Sequence, residues 1–98
     1  MSLYMIDIQL PDTFNQNFLE LIPDQRAHID QLLADGKVLS YSLSANRSKL
    51  WVIVNAEDRR EVYDMIAAFP IYDYIKAVVS ELAFHNHSEQ VAPQFSLN

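Results

Sequence analysis

Few side chains in this sequence of 98 residues could handle a proton or hold a ligand. Asp7 sits in an alternating stretch, on the row with Met5 and Gln9 and opposite Tyr4, Ile6, Ile8 and Leu10. A carboxylate there faces either water or an enclosed interface. In an interface, desolvation would raise its affinity for a proton toward that of a general base. The plainer alternative is a solvated or salt-bridged carboxylate. His28, beside a helical apolar stripe, is the second candidate proton carrier because imidazole titrates near neutrality, although a lone His there also suits a packed or rim position. Tyr41 and Trp51 could line a small hydrophobic pocket and orient a planar ligand, with Ser40 or Ser42 hydrogen-bonding a carbonyl. As plain packing groups they would be core or interface aromatics.

His85-Asn86-His87 puts two imidazoles on the same side of a strand end. Catalytic zinc takes three protein ligands, and no third lies nearby, so no metal is expected. The chain has no cysteine, which excludes a disulfide framework, a zinc ribbon and a thiol nucleophile. With one glycine and no GxGxxG, Walker, HExxH or GxSxG pattern, nucleotide cofactors and covalent serine catalysis are not expected. No cofactor is expected at all.

Thirteen acidic residues against seven basic ones give a formal charge of −6. Lys37, Arg47, Lys49, Arg59, Arg60 and Lys76 are dispersed among carboxylates, whereas nucleic-acid binding needs a concentrated positive field. Neither nucleic acid nor an anionic membrane is expected as a partner. The N-terminus lacks the basic start and apolar run of a signal peptide, and nothing approaches the roughly 20 apolar residues of a membrane span. Cytoplasm is the expected location.

The elements that must position these groups follow from periodicity. Residues 3–10 alternate and close at Pro11, the pattern of a half-buried strand. Asp12-Thr13 offers an N-cap for a helix whose stripe runs Phe14, Phe18, Leu21, Ile22, Ile29, Leu32, Leu33 and whose stop is Gly36. Pro23 predicts a kink or a restart near Ile22. Lys37 to Ser44 alternates, with Leu39, Tyr41 and Leu43 opposite Val38, Ser40, Ser42 and Ser44. A turn cluster at 45–48 then joins it to a second strand, Lys49 to Asn55, as a hairpin. Trp51-Val52-Ile53-Val54 is apolar without interruption, so that strand should be central. A second helix spans Ala56 to Phe69, with Glu57 and Asp58 at its positive end and Pro70 as its stop. Arg59 and Arg60 should form a solvated face with Asp58 and Glu61. Residues 76–84 read as the last strand and 86–98 as a polar tail, leaving one domain over 1–85.

This βαββαβ order folds most simply as a ferredoxin-like α+β domain: a four-stranded antiparallel sheet with two helices on one face. The uncovered face then carries apolar residues from the central strand. Monomers seldom expose contiguous apolar patches beyond a few hundred Å². A homodimer in which two sheets face each other is therefore expected; the alternative is a tail that folds back over its own sheet.

Several segments carry a family likeness. They are Leu10-Pro11 closing the first strand, Leu32-Leu33-Ala34-Asp35-Gly36 ending the first helix, the run Met65 to Tyr74 with its Phe69-Pro70-Ile71-Tyr72, and Leu82-Ala83-Phe84-His85. From about Asp24 to His85 the chain resembles the muconolactone δ-isomerase family of the dimeric α+β-barrel superfamily. The resemblance implies paired sheets, often assembled into rings of dimers, and a pocket between sheet and helices near a subunit boundary. It adds His85, which matches the family's terminal His, to Ser40, Tyr41, Ser42 and Trp51 as a candidate substrate-binding residue. Where the family's second strand carries basic and imidazole groups, Leu39, Ser40 and Leu43 stand here. Where it has an acidic group late in the first helix, Gln25 stands, and an amide cannot act as a base.

The implied reaction is migration of a C=C bond in an unsaturated lactone by proton removal and return. It needs one proton carrier beside a carbonyl and donors for the enolate-like oxygen. The expected function is therefore an isomerase-like enzyme acting on, or binding, a small and largely apolar molecule between subunits, with Asp7 or His28 moving the proton. The alternative is a non-catalytic oligomer that binds a small hydrophobic molecule or serves as an accessory subunit.

Overall fold

The computed structural model describes residues 1–86. Strand β1 (Ser2–Gln9) is followed by helix α1 (Gln16–Ala34), strands β2 (Val38–Leu43) and β3 (Lys49–Ala56), helix α2 (Arg59–Ala67), a 3-10 turn (Tyr72–Tyr74) and strand β4 (Lys76–Glu81). The four strands form one sheet in the order β2-β3-β1-β4, with every neighbouring pair antiparallel. This is the expected ferredoxin-like arrangement. Strands β3 and β1 are interior, as the unbroken apolar run of β3 requires. The expected tail lies outside the described residues except for Asn86, and His87 of the imidazole pair lies outside them as well.

The core lies on the helix side of the sheet. Tyr4, Ile6 and Ile8 of β1, Leu50, Val52 and Val54 of β3, and Val79 of β4 meet Phe18 and Ile29 of α1 and Val62 and Ile66 of α2. Directly paired residues of antiparallel strands share a face, so the register assigns the opposite surface. There Asp7 stands opposite Trp51 and Val78, and Met5 opposite Ile53 and Ser80.

Local chemistry moved several boundaries from their expected places. Helix α1 is capped by Asn15, whose side-chain oxygen accepts from the Phe18 N–H at 2.9 Å, not by Asp12-Thr13. The intervening residues are used to leave the sheet and bring Phe14 onto Phe18, with ring centroids 4.6 Å apart. The helix runs through Pro23 undivided. Pro23 and Leu19 are both exposed, so the Leu19 carbonyl that proline deprives of its donor can meet water. At the other end Gly36 adopts φ +76°, Lys37 N–H donates to Leu32 O at 3.0 Å and Gly36 N–H to Leu33 O at 3.1 Å. This is a Schellman closure, which needs a left-handed residue and finds the chain's one glycine there.

Helix α2 starts later than Ala56, which belongs to β3. Asp58 caps it by accepting from Glu61 N–H at 2.9 Å, and Glu61 Oε1 accepts from Glu57 N–H at 2.7 Å. Arg59 is exposed with Asp58 and Arg60, as expected, and its Nη1 also donates to Val79 O at 2.9 Å, with its guanidinium 5.9 Å from the Tyr4 ring centroid. The first turn of α2 packs over the β1–β4 edge, and a long cationic side chain there can reach a strand carbonyl. Strand β4 ends at Glu81, opposite Tyr4, because little of β1 remains to pair beyond that point.

Candidate functional site

Strand β2 decides where the site lies. The alternation of residues 37–44 predicts Val38 on the face opposite Tyr41 and Leu43. The pairing instead runs Val38 to Val54 and then Ser40 to Ile53, so one extra residue, Leu39, is inserted at a bulge. A bulge puts two residues of one strand against one of its neighbour and reverses the phase of the pattern beyond it. Val38 therefore joins the core at 1% exposure, on the same side as Tyr41 and Leu43, while Ser40 and Ser42 face the open surface. Helix α1 approaches β2 from above. Tyr41 and Leu43 thus stand under α1, on an edge strand whose outer side has no neighbouring strand among the described residues.

Between α1 and the β2–β3 half of the sheet lies a cavity of about 340 Å³, at the small end of the range for small-molecule sites. Its floor is Leu10, Leu50, Tyr41 and Leu43, and its roof is Phe18, Ile22 and Ile29. Ile71, which follows Pro70 after α2, closes one wall. The resemblance-bearing run Phe69-Pro70-Ile71 thereby acquires a physical task. Phe69 and Ile71, at 3% and 2% exposure, anchor the chain against α1 before the 3-10 turn leads into β4.

Two polar side chains of α1 complete the lining, Gln25 and Arg26. Arg26 is exposed and brings the positive charge of the wall. Among the described residues Gln25 is the buried polar side chain of the core, at 5% exposure. Its Oε1 accepts from the Ile71 backbone N–H at 3.4 Å, and its Nε2 has no protein acceptor among the described residues. A buried amide donor without a partner costs on the order of 1–3 kcal/mol.

The sequence-derived candidates are divided by the sheet. Tyr41 lines the cavity. Asp7, Ser40, Ser42 and Trp51 belong to the opposite surface, so Tyr41 and Trp51 do not share a pocket. Asp7 Oδ1 receives an ion-pairing hydrogen bond from Lys49 Nζ at 3.0 Å, and both side chains are 41% exposed. His28 is half-buried on another flank of α1, its ring 5.9 Å from that of Phe69 in an edge-on contact. His85 follows β4, half-buried. Neither imidazole is part of the cavity wall.

Gln25 and Arg26 are the lining residues that the residue-by-residue reading did not select. A signal for Gln25 was available. Phe18, Leu21, Ile22, Ile29 and Leu32 recur at helical spacing, and position 25 falls on the same stripe, so a polar residue occupies a core position.

The model of the family described as muconolactone delta-isomerase matches residues 3–88. Among solved structures, a crystal structure of muconolactone isomerase superposes with a TM-score of 0.70 over 90% of this chain and 95% of that chain, at 18% identity. The 5-chloro-2-hydroxyhydroquinone dehydrochlorinase of Burkholderia phenoliruptrix AC1100, in complex with 2,5-dihydroxybenzoquinone, superposes with a TM-score of 0.65 over 89% and 96%, at 17% identity. At these identities the two structures share the fold. No curated protein matches by sequence. With a family model covering all but the ends of a chain whose bulged second strand and proline-closed wall frame a single-layer α/β cavity, the protein belongs to the muconolactone delta-isomerase family.

Proposed function

We propose that this protein takes a small, flat and largely apolar ring compound into the cavity between α1 and β2–β3, and acts on it as a muconolactone isomerase-like enzyme. The observation that carries the reading is the cavity: it is apolar over most of its wall, sized for one ring, and furnished with a few convergent polar groups. Family membership supports an isomerase-like reading, for which we propose movement of a C=C bond by removing and returning a proton beside a carbonyl. The ligand of the structurally similar dehydrochlorinase, 2,5-dihydroxybenzoquinone, is of the same size and carbonyl character. In this reading Tyr41 is the wall residue proposed to carry the proton, since a phenol can serve as acid or base. Arg26 offers a positive charge to an anionic substituent.

Asp7 and His28 enter this scheme differently from Tyr41. Asp7 sits across the sheet from the cavity, and His28 faces Phe69. A second copy meeting the open face would enclose Asp7, Ser40, Ser42 and Trp51 in a dimer interface, where they would hold the sheets in register. That makes them assembly groups in the first instance. His28 and His85 then serve catalysis in the assembled protein if a neighbouring subunit extends the cavity toward them.

A second reading, small-molecule binding without catalysis, is favoured by one observation: among the described residues no Asp, Glu or His lines the cavity. Incubation with muconolactone in deuterated water, followed by proton NMR, separates the two. Incorporation of deuterium next to the lactone carbonyl, lost in Tyr41→Phe, supports the enzyme. Thermal stabilisation by the lactone with no exchange beyond the buffer rate supports the binding protein.

A further inference from the structure

The Gln25 amide has a fixed direction. A backbone N–H can only donate, so the Ile71 N–H requires the amide oxygen on its side, at 3.4 Å, and this sets which end of the side chain carries the NH2 group. Nε2 is thereby left with no protein acceptor among the described residues, in a side chain at 5% exposure that forms part of the cavity wall. Such a donor is costly to leave unmade and is well satisfied by an acceptor entering the cavity. The other groups there are hydrocarbon, apart from Arg26 of α1 and Tyr41 of β2. Arg26 donates only, so it competes for an acceptor and cannot supply one.

We propose that Gln25 Nε2 is the binding donor for a carbonyl oxygen of the cavity's ligand, a small and largely apolar molecule that carries such an oxygen. This rests on the assignment of the cavity as the ligand site. A neutral amide holds a carbonyl oxygen without taking up or releasing a proton. It also strengthens its hold as negative charge grows on that oxygen, the direction an enolate-forming step requires. Where an acidic residue at this position would repel such an oxygen, glutamine attracts it.

The test uses the full chain, labelled with 15N and with 13C in isoleucine methyls, titrated with 5-methyl-2(5H)-furanone carrying 13C at its carbonyl. Binding is expected to move the Ile22 and Ile29 methyl signals, the Gln25 side-chain NH2 signals and the ligand's carbonyl resonance together. Gln25→Met should weaken binding about five- to tenfold, the usual net worth of one neutral hydrogen bond. Gln25→Glu keeps an oxygen for the Ile71 N–H but donates only while protonated. Its affinity should lie near the wild-type value at low pH and fall as pH rises through the titration of that carboxyl, while wild-type affinity stays flat. A merely structural role for Gln25 would not produce that pH profile, and melting temperatures of both variants show that they fold. Movement of the isoleucine methyls with no change at the Gln25 NH2 or the ligand carbonyl overturns the donor assignment and leaves the cavity standing. If neither set moves up to tens of millimolar furanone, the cavity assignment fails, and the donor with it.

Discussion

The two surfaces of the sheet have the same strands and opposite characters. On the helix side, side chains of α1, α2 and all four strands interlock, and Gln25, the one buried polar residue among the described residues, faces a cavity. On the open side, Trp51 at 38% and Val78 at 66% exposure flank an ion pair, Asp7–Lys49, that is itself half in solvent. The first surface is largely covered by the chain's own helices and has room for a small guest. The second is apolar without a cover. A walled cavity suits a small molecule, whereas an exposed apolar patch commonly marks an interaction surface. Among the described residues no helix is long and apolar enough to cross a membrane.

Mutations can break this contrast. Phe18→Ala on the helix side removes a ring that is 1% exposed and part of the cavity roof. It should lower stability by about 3–5 kcal/mol in urea unfolding and abolish ligand-induced stabilisation. The same kind of truncation on the open side should do something else. Trp51→Ser combined with Val78→Ser is expected to change the folded protomer by about 1 kcal/mol or less, since both residues are partly in solvent. If two copies meet there as proposed, light scattering should register a fall in mass at micromolar concentration, and an unchanged mass would argue against that interface.

Gln25→Leu sharpens the comparison within the cavity. Replacing a buried, half-satisfied amide with an apolar group of similar volume should leave stability unchanged or raise it by about 1 kcal/mol, even as carbonyl ligands bind less well. Opposite signs for stability and binding would mark a residue kept for function. The smallest effect is expected at Asp7→Asn. An ion pair whose members are both 41% exposed is strongly screened, and its loss should cost a few tenths of a kcal/mol in thermal unfolding, less at high salt. A loss several times larger would mean that Asp7 is enclosed in the assembled protein.

Much of this architecture was written in short-range patterns. The alternation of Tyr4, Ile6 and Ile8, the stripe of α1 and the closure at Gly36 each depend on residues a few positions apart, and all three appear as their spacing demands. The capping residues were less legible. Asp12, Thr13 and Asn15 are all competent caps, and the choice fell to the one that let Phe14 reach Phe18. The site was least legible, for a specific reason. A period of two assigns faces only while a strand stays in phase, and the bulge at Leu39 put Val38 in the core with Tyr41 and sent Ser40 and Ser42 to the other side.

What the sequence determined by itself is the set of elements, their order and the sheet that results, because hydrophobic periodicity and turn residues act locally and repeat often enough to be redundant. The tertiary structure alone decided which candidate groups share a space. It put a neutral amide, a phenol and a guanidinium around one cavity and placed the carboxylate across the sheet from them. The pairing of distant strands and the docking of the Pro70 segment on α1 are long-range events, and a single inserted residue can redirect them without disturbing any local preference.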